Sequence, residues 1–382
     1  MRVCLISKQF DPTGGGSERY AYVLALALAD RGHDVDVFAL GDRSSLPEST
    51  RHERLSVTFL SDRRRPLVTF ETLYHSLLAR KTVDFGSYDV IHGTLMPAST
   101  IALTVAPPET PIVVTCHSIS LREVQTHKLE VPTDVLRKFV FHPTNVLMDA
   151  VASVRTSKTI AISSVVQRDL DRYYPPDSSD TVRIPHGVDS DRFRPDHPPH
   201  PAPSHDRFTL LHVGRLVSRK HVELGIEALA ATERDDVELL IAGTGHHRDR
   251  LERRARELGV DADTEFLGFV PEDRLPSLYA TSDAFLFLPR FEGFGLTFLE
   301  AMASGTPVIG TETGGLPDLV TDGEDGLFVD DDPVDVGRAV DRLAGTPSLL
   351  DEMAGNARET AASRTWDTVA AETERVYEAA LE

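Results

Sequence analysis

The sequence predicts an α/β protein built from two doubly wound domains in tandem, and three observations predict it. Length is the first: 382 residues, at roughly 100–200 residues per domain, fit two domains. The second is an alternation of short β-like runs with helix-length segments along nearly the whole chain, the pattern of parallel strands joined by crossover helices. The third is a break in that alternation between Arg194 and Asp206, where five prolines occur without periodicity and after which the pattern restarts.

In the first half, strands are expected at 3–6, 35–40, 89–92, 112–116, 159–163 and 181–184, with crossover helices such as 17–31 and 164–173. The proline-rich stretch 191–206 reads as a linker or surface excursion, since proline lacks the N–H that a packed element needs. In the second half, strands are expected at 208–213, 237–242, 264–267, 284–288, 307–310 and 326–329. The chain ends in helices, the last opened by Trp366. The domains are therefore 1–190 and 207–365, and two such domains place a ligand in a crevice at the C-terminal ends of their strands.

Composition bounds the rest. Hydrophobic residues make up 41% and charged residues 26%, which suits a globular protein with a core and excludes a disordered or collagen-like chain. No apolar run approaches the ~20 residues needed to cross a bilayer. The opening MRVCLISKQF enters a strand at once and lacks a signal-peptide pattern. Cys4 and Cys116 both lie in apolar runs, as small core residues of a reduced, cytoplasmic protein. The net charge of −20 argues against a general nucleic-acid binder. It is unevenly spread: residues 1–190 carry 21 Lys+Arg against 22 Asp+Glu, and residues 191–382 carry 19 against 38. An acidic, lysine-poor surface suits a high-salt cytoplasm, though a GC-rich genome alone also favours arginine. A near-neutral first half beside it fits a negatively charged partner.

Four segments carry candidate chemistry. After the first strand comes Asp11-Pro12-Thr13-Gly14-Gly15-Gly16-Ser17, where glycine backbone N–H groups can approach a ligand and Ser17 can cap a helix. On its own this loop reads equally as a tight turn. The second half opens with Val213-Gly214-Arg215-Leu216-Val217-Ser218-Arg219-Lys220-His221, whose Arg215 and Lys220 beside a helix N-terminus suit a diphosphate. Next is Phe291-Glu292-Gly293-Phe294-Gly295-Leu296 running on to Glu300. There Glu292 lies in a glycine turn after a strand, and Glu300 lies in the following helix, where a carboxylate between Leu299 and Ala301 is costly unless hydrogen-bonded. A ribose diol would satisfy it. Last is the Gly-rich loop of Gly314 and Gly315.

Taken together, these segments with Pro185-His186-Gly187-Val188-Asp189 resemble the retaining glycosyltransferases of family four, which have the GT-B fold of two Rossmann-like domains. The resemblance covers nearly the full length, and the Glu292-x7-Glu300 spacing matches the family's signature. His186 stands where the family usually has Asn. The resemblance implies that Glu300 holds the ribose hydroxyls of a nucleotide sugar, that Arg215 and Lys220 neutralise the leaving diphosphate, and that Glu292 with the backbone of Gly293, Phe294, Gly295 and Leu296 holds the sugar hydroxyls and distal phosphate. It further implies that His117 reaches the donor sugar, that Gly15 and Gly16 approach the phosphate and acceptor side, that Gly214 lines the donor site, that the backbone near Val270 meets the base, and that the final helix, about 366–382, packs back on the first domain.

No Asp-x-Asp stands where a metal would bridge the phosphates, and Asp330-Asp331-Asp332 reads as a solvated loop, so metal-independent transfer with retained configuration is expected, with no cofactor. A glycosidase is the first rival, with Glu292 and Glu300 as acid and base. Eight residues along a helix set side chains ~80° apart, but Glu292 precedes the helix, and a hydrolase has no need of the diphosphate cations. A nucleotide-sugar 2-epimerase and a catalytically silent donor-binding subunit are the remaining rivals. The donor is expected to be a UDP- or GDP-sugar. Arg63-Arg64-Arg65, Arg80-Lys81 and the amphipathic stretch 135–148 lead to an expected lipid-linked, phospholipid or glycan acceptor and a peripheral place on the inner face of the membrane.

Overall fold

A computed structural model describes residues 1–42, 46–61, 77–94, 106–122, 142–174, 181–204 and 206–382. It divides into two compact units, Met1–His186 with Trp366–Glu382, and Gly187–Thr365. The division falls after His186, ahead of the expected boundary at 190.

The first unit is built on β1 (Arg2–Gln9), β2 (Asp34–Leu40), β3 (Leu55–Ser61), β4 (Val90–Gly93), β5 (Ile112–Cys116), β6 (Lys158–Ala161) and β7 (Thr181–Arg183). All pair in parallel, in the order β3-β2-β1-β4-β5-β6-β7. The inner strands β4 and β5 are buried along their whole length, as continuous apolar runs in a sheet covered on both faces must be. Strand β3 escaped the sequence reading because it is an edge strand whose residues are exposed or half-buried, leaving only a weak apolar signal. Helices α1 (Gly16–Asp30), α2 (His142–Arg155) and α3 (Ser164–Tyr173) follow in chain order. Ser163 caps α3 by accepting from Val166 N at 3.1 Å. Ser17 does not cap α1: the cap position is Gly15, and the Ser17 hydroxyl sits inside the helix, donating to Glu18.

The second unit carries β8 (Phe208–Val213), β9 (Val237–Ala242), β10 (Thr264–Gly268), β11 (Ala284–Phe287), β12 (Val308–Gly310) and β13 (Gly326–Phe328), again all parallel, in the order β10-β9-β8-β11-β12-β13. Its helices are α4 (Val222–Ala231), α5 (Arg248–Leu258), α6 (Leu275–Thr281), α7 (Leu296–Ala303), α8 (Leu316–Leu319), α9 (Pro333–Ala344) and α10 (Pro347–Ser363). In both sheets the strand order reverses beside the unit's first strand, so connections leave β1 and β8 in the opposite sense from their neighbours. That reversal opens space over the strand ends.

The proline-rich stretch is not a free linker. His200 N donates to Thr281 Oγ1 at 3.0 Å, and Ser204 donates from N and Oγ to the buried Glu238 carboxylate at 2.7 and 2.8 Å. Side-chain and backbone anchors thus fix on the second unit a segment that has no periodicity of its own. Prolines reduce what its ordering costs, because they restrict the unfolded chain.

The final helix α11 (Trp366–Leu381) belongs to the first unit. Its Tyr377 is fully buried, with the hydroxyl 2.6 Å from His92 Nδ1 on β4. The other ring nitrogen of His92 lies 2.8 Å from Thr115 Oγ1, which is 3.0 Å from Tyr20 OH on α1. Every polar group in this buried chain has a partner, as burial requires.

Candidate functional site

In the second unit the chemistry gathers at the ends of β8 and β11. Strand β8 ends at Val213, and Gly214 N donates to Ala242 O at 2.9 Å, tying the turn to the end of β9. Gly243 sits against it with φ of 144°; a Cβ there would lie 1.8 Å from Gly214 O. Two loop backbones can approach so closely only over a glycine. Leu216 is fully buried and pins the turn, while Arg215 projects outward as an exposed side chain. A single 3-10 turn, Ser218–Lys220, then delivers Arg219 and Lys220 towards Glu292.

Both cations bind one carboxylate oxygen. Arg219 Nη1 donates to Glu292 Oε2 at 2.8 Å, and Lys220 Nζ donates to the same atom. Burial pushes the Glu292 carboxyl up, but Lys220 and then Arg219 outweigh it and hold it at about 2, so it is ionised at neutral pH. Burial pushes Lys220 below the ordinary lysine value, with the Glu292 carboxylate opposing. Beneath them His212 is held neutral, at about 3, by burial and by Lys220. The turn and the Glu292 loop are also stitched by backbone: Arg290 N donates to Arg219 O at 2.9 Å.

Past Glu292 the chain turns into α7 through Gly295, whose φ of 100° makes it the N-cap without any side-chain cap bond. Phe294 is buried and packs on Phe298 with ring centroids 5.4 Å apart, so its side chain serves the core and its backbone the loop. Glu300, within α7, is 4% exposed and accepts from Tyr279 OH of α6 at 3.1 Å. Val270 lies half-buried on the loop after β10, which continues through α6 to Tyr279. Glu292, Lys220, Gly214 and Gly293–Leu296 thus fall in adjoining segments that follow the C-terminal ends of the central strands β8 and β11, and Glu300 lies behind them on the helix that the last of these segments opens.

The aspartate run is exposed at all three residues, as its reading as a solvated loop expects, and two of them also make side-chain bonds. Asp332 caps α9 by accepting from Val334 N at 2.7 Å, and Asp331 Oδ1 lies 3.2 Å from His221 Nδ1. Among the described residues no group of three or more His, Cys, Asp or Glu converges as a metal site.

In the first unit, Gly15 and Gly16 open α1, whose N-terminus has no side-chain cap. His117 follows β5, its ring edge-on to Tyr20 at 4.9 Å and 5.3 Å from the His186 ring. Burial lowers its pKa to about 4, with a bond to the Thr94 backbone opposing, so the ring is neutral. Its Nε2 is buried without a partner among the described residues. Residues 63–65 and 135–141 of the expected basic surface lie outside the described residues; Arg80 and Lys81 are exposed.

Sequence reasoning passed over Arg219, His221, Arg290 and Tyr279. The first two stand beside Lys220 and were open to notice as neighbours of a cation. Arg290 and Tyr279 gave no signal, since the side-chain partners of Arg290 lie 69 and 72 positions away and that of Tyr279 lies 21 away.

Two parallel-sheet α/β domains in tandem are the architecture of the GT-B glycosyltransferase fold. Two adjoining family models match the chain, Glycosyltransferase Family 4 over residues 14–192 and Glycosyl transferases group 1 over residues 193–360. The chain belongs to this glycosyltransferase family.

Among relatives, an uncharacterized glycosyltransferase of Methanocaldococcus jannaschii is 37% identical over 46% of this chain and 46% of its own. A GDP-mannose-dependent alpha-(1-6)-phosphatidylinositol monomannoside mannosyltransferase of Mycobacterium tuberculosis is 37% identical over 49% of this chain and 53% of its own. The matched stretch thus spans about half the length of these curated relatives. A D-inositol 3-phosphate glycosyltransferase of Actinosynnema mirum is 29% identical over 96% of this chain and 94% of its own. Among solved structures, sucrose-phosphate synthase from Thermosynechococcus elongatus has a TM-score of 0.81 at 22% identity, over 99% of this chain and 98% of that one. Anabaena HepE in complex with UDP and glucose has a TM-score of 0.76 at 21% identity, over 99% and 100%.

Proposed function

We propose that this chain is a retaining, metal-independent hexosyltransferase that takes its sugar from a GDP- or UDP-sugar and passes it to a phospholipid or other lipid-linked acceptor. The observation that carries the reading is the cluster of Lys220, Arg219 and Glu292, an ionised carboxylate and two cations on one oxygen, with the buried Glu300 beyond it on α7.

Departure of a nucleoside diphosphate builds negative charge on the leaving oxygens. Lys220 and Arg219, gathered on Glu292, and the exposed Arg215 are the cations that meet that charge, and the uncapped start of α7 adds its N–H groups. Arginine offers a planar fork and lysine a point charge. When phosphate takes the cations, Glu292 is released to accept from sugar hydroxyls. Glu300, acceptor-only when ionised, suits a ribose diol. In the first unit, the neutral His117 ring with its unpartnered Nε2 fits a hydrogen bond to a sugar hydroxyl.

For the donor base, the mycobacterial relative named as GDP-mannose-dependent favours guanine. For the acceptor, relatives named for phosphatidylinositol monomannoside and for D-inositol 3-phosphate favour an inositol-phosphate head group. The near-neutral charge of residues 1–190 beside an acidic second half favours a peripheral place on an anionic membrane.

The test is calorimetric titration of the wild type and Glu300→Ala with GDP, UDP, ADP and TDP, without added metal, followed by transfer assays to phosphatidylinositol vesicles. Binding of one nucleotide that Glu300→Ala abolishes, and an α-linked product from an α-donor, are the expected results. Absence of nucleotide binding in both low and molar salt overturns the donor-site reading. Efficient transfer to soluble glycans without any liposome binding overturns the lipid acceptor.

A further inference from the structure

His221 is the one non-glycine residue with a positive φ, 51°, among the described residues. A β-carbon in that region carries strain of order 1–3 kcal/mol, and it persists only where the surroundings impose it. The surroundings are two side chains on two other loops. Arg290, on the loop that carries Glu292, places Nη2 2.6 Å from His221 Nε2, and Asp331, on the loop after β13, places Oδ1 3.2 Å from Nδ1. Arginine has donors only, so Nε2 accepts and the proton sits on Nδ1, where it faces the Asp331 carboxylate. The ring is buried and locked as one neutral tautomer.

We infer that His221 is a positioning residue, holding Arg290, and through it the loop that carries Glu292, against the Arg219–Lys220 turn. Two further bonds follow the same line: Arg290 N donates to Arg219 O at 2.9 Å and Arg290 Nη1 to Ser218 O at 3.4 Å. A third loop is drawn in through Asp331. The significance for ligand binding rests on the reading of that turn as the diphosphate site; the clamp itself does not.

The clamp is pH-dependent by construction. Protonation sets an N–H on Nε2 against the Arg290 N–H, and the bond is lost. The charged groups facing the ring are Arg290 and Asp331 from the two loops and Glu223 and Glu227 from α4; His212 shares a small cavity with it. Burial and then Arg290 push the His221 pKa below the ordinary 6.5, with Asp331 opposing. The contribution is therefore complete above 6.5 and is lost as pH falls through the lowered value.

His221→Gly is the informative variant, because glycine takes this φ freely and folding is not put at risk. The expected results are an unchanged fold and midpoint within a few degrees, several-fold lower hydrogen-exchange protection of the 290–296 amides in the ligand-free protein, and roughly tenfold weaker binding of pyrophosphate and GDP at pH 7.5. Wild-type protection falls as pH drops below 6.5 and through the lowered value, whereas that of the variant stays flat, and the effects of Arg290→Ala and His221→Gly combine to less than their sum. Unchanged protection in His221→Gly overturns the clamp, as does additivity with Arg290→Ala. A wild type that binds neither pyrophosphate nor any nucleoside diphosphate, yet shows the protection change, upholds the clamp and overturns the donor-site reading instead.

Discussion

The hydroxyl of Tyr279 donates to the Glu300 carboxylate at 3.1 Å, joining α6 to α7 where both residues are buried. The bond fixes a carboxylate that burial alone would disfavour, and it does so from the helix that follows the Val270 loop. Tyr279→Phe removes this donor and leaves the ring packing on Phe285 and Phe193 in place. A stability loss of about 1–2 kcal/mol is expected in urea titration. GDP or UDP affinity is expected to fall by roughly tenfold, with pyrophosphate affinity unchanged. Equal losses for both ligands would show that Glu300 does not act on the ribose.

Glu292 supplies a pH prediction. Its carboxyl is lowered from 4.5 to about 2, so its pairing contributes fully above 4.5 and is lost as pH falls through 2. A shift of that size corresponds to about 3 kcal/mol of pH-dependent stability, the two cations jointly being its source. Acid titration of stability is expected to show that fall between pH 4.5 and 2 in the wild type and to lack it in Glu292→Gln. Lys220→Met leaves Arg219 alone on the carboxylate and is expected to move the fall to higher pH, while lowering nucleoside diphosphate affinity by about a hundredfold.

Close backbone packing gives a pair of contrasting glycine substitutions. Gly243→Ala sets a Cβ 1.8 Å from Gly214 O, a backbone atom that cannot swing away, and at φ of 144°. It is expected to cost more than about 3 kcal/mol and to abolish nucleotide binding, because the turn carrying Arg215 and Lys220 must move. Gly259→Ala, at φ of 73° with nothing within 4 Å, is expected to cost only about 1 kcal/mol and leave binding intact. Thermal melts of both variants check the contrast.

The buried chain in the first unit yields a further prediction. Tyr377→Phe strips His92 Nδ1 of its partner and is expected to cost about 1–3 kcal/mol in urea unfolding, with exchange in α11 accelerating most. Burial, with His117 adding, lowers the His92 pKa from 6.5 to about 3, so its neutral-state stabilisation is complete above 6.5 and is lost as pH falls through 3. In His92→Gln the corresponding acid-dependent loss is expected to be absent.

Much of the molecule was legible in the chain itself. Strands β5, β8 and β9 stand at the expected residues, because buried parallel strands announce themselves as short apolar runs between turn residues. Spacing placed Glu292 and Glu300 around one glycine turn, and the turn residues of 214–220 marked the cations. All of these are local properties, set by periodicity and turn chemistry within a few residues. Tertiary structure decided the rest. It placed Arg219 beside Lys220 on a single oxygen of Glu292, across 73 and 72 positions. It forced His221 into a left-handed conformation between Arg290 and Asp331, gave Glu300 its donor from Tyr279, and fastened a proline-rich stretch to Glu238. A sequence determines which groups are available for such bonds. Which of them meet depends on how distant strands are ordered in the sheet, and hence on the free energy of the whole packed unit.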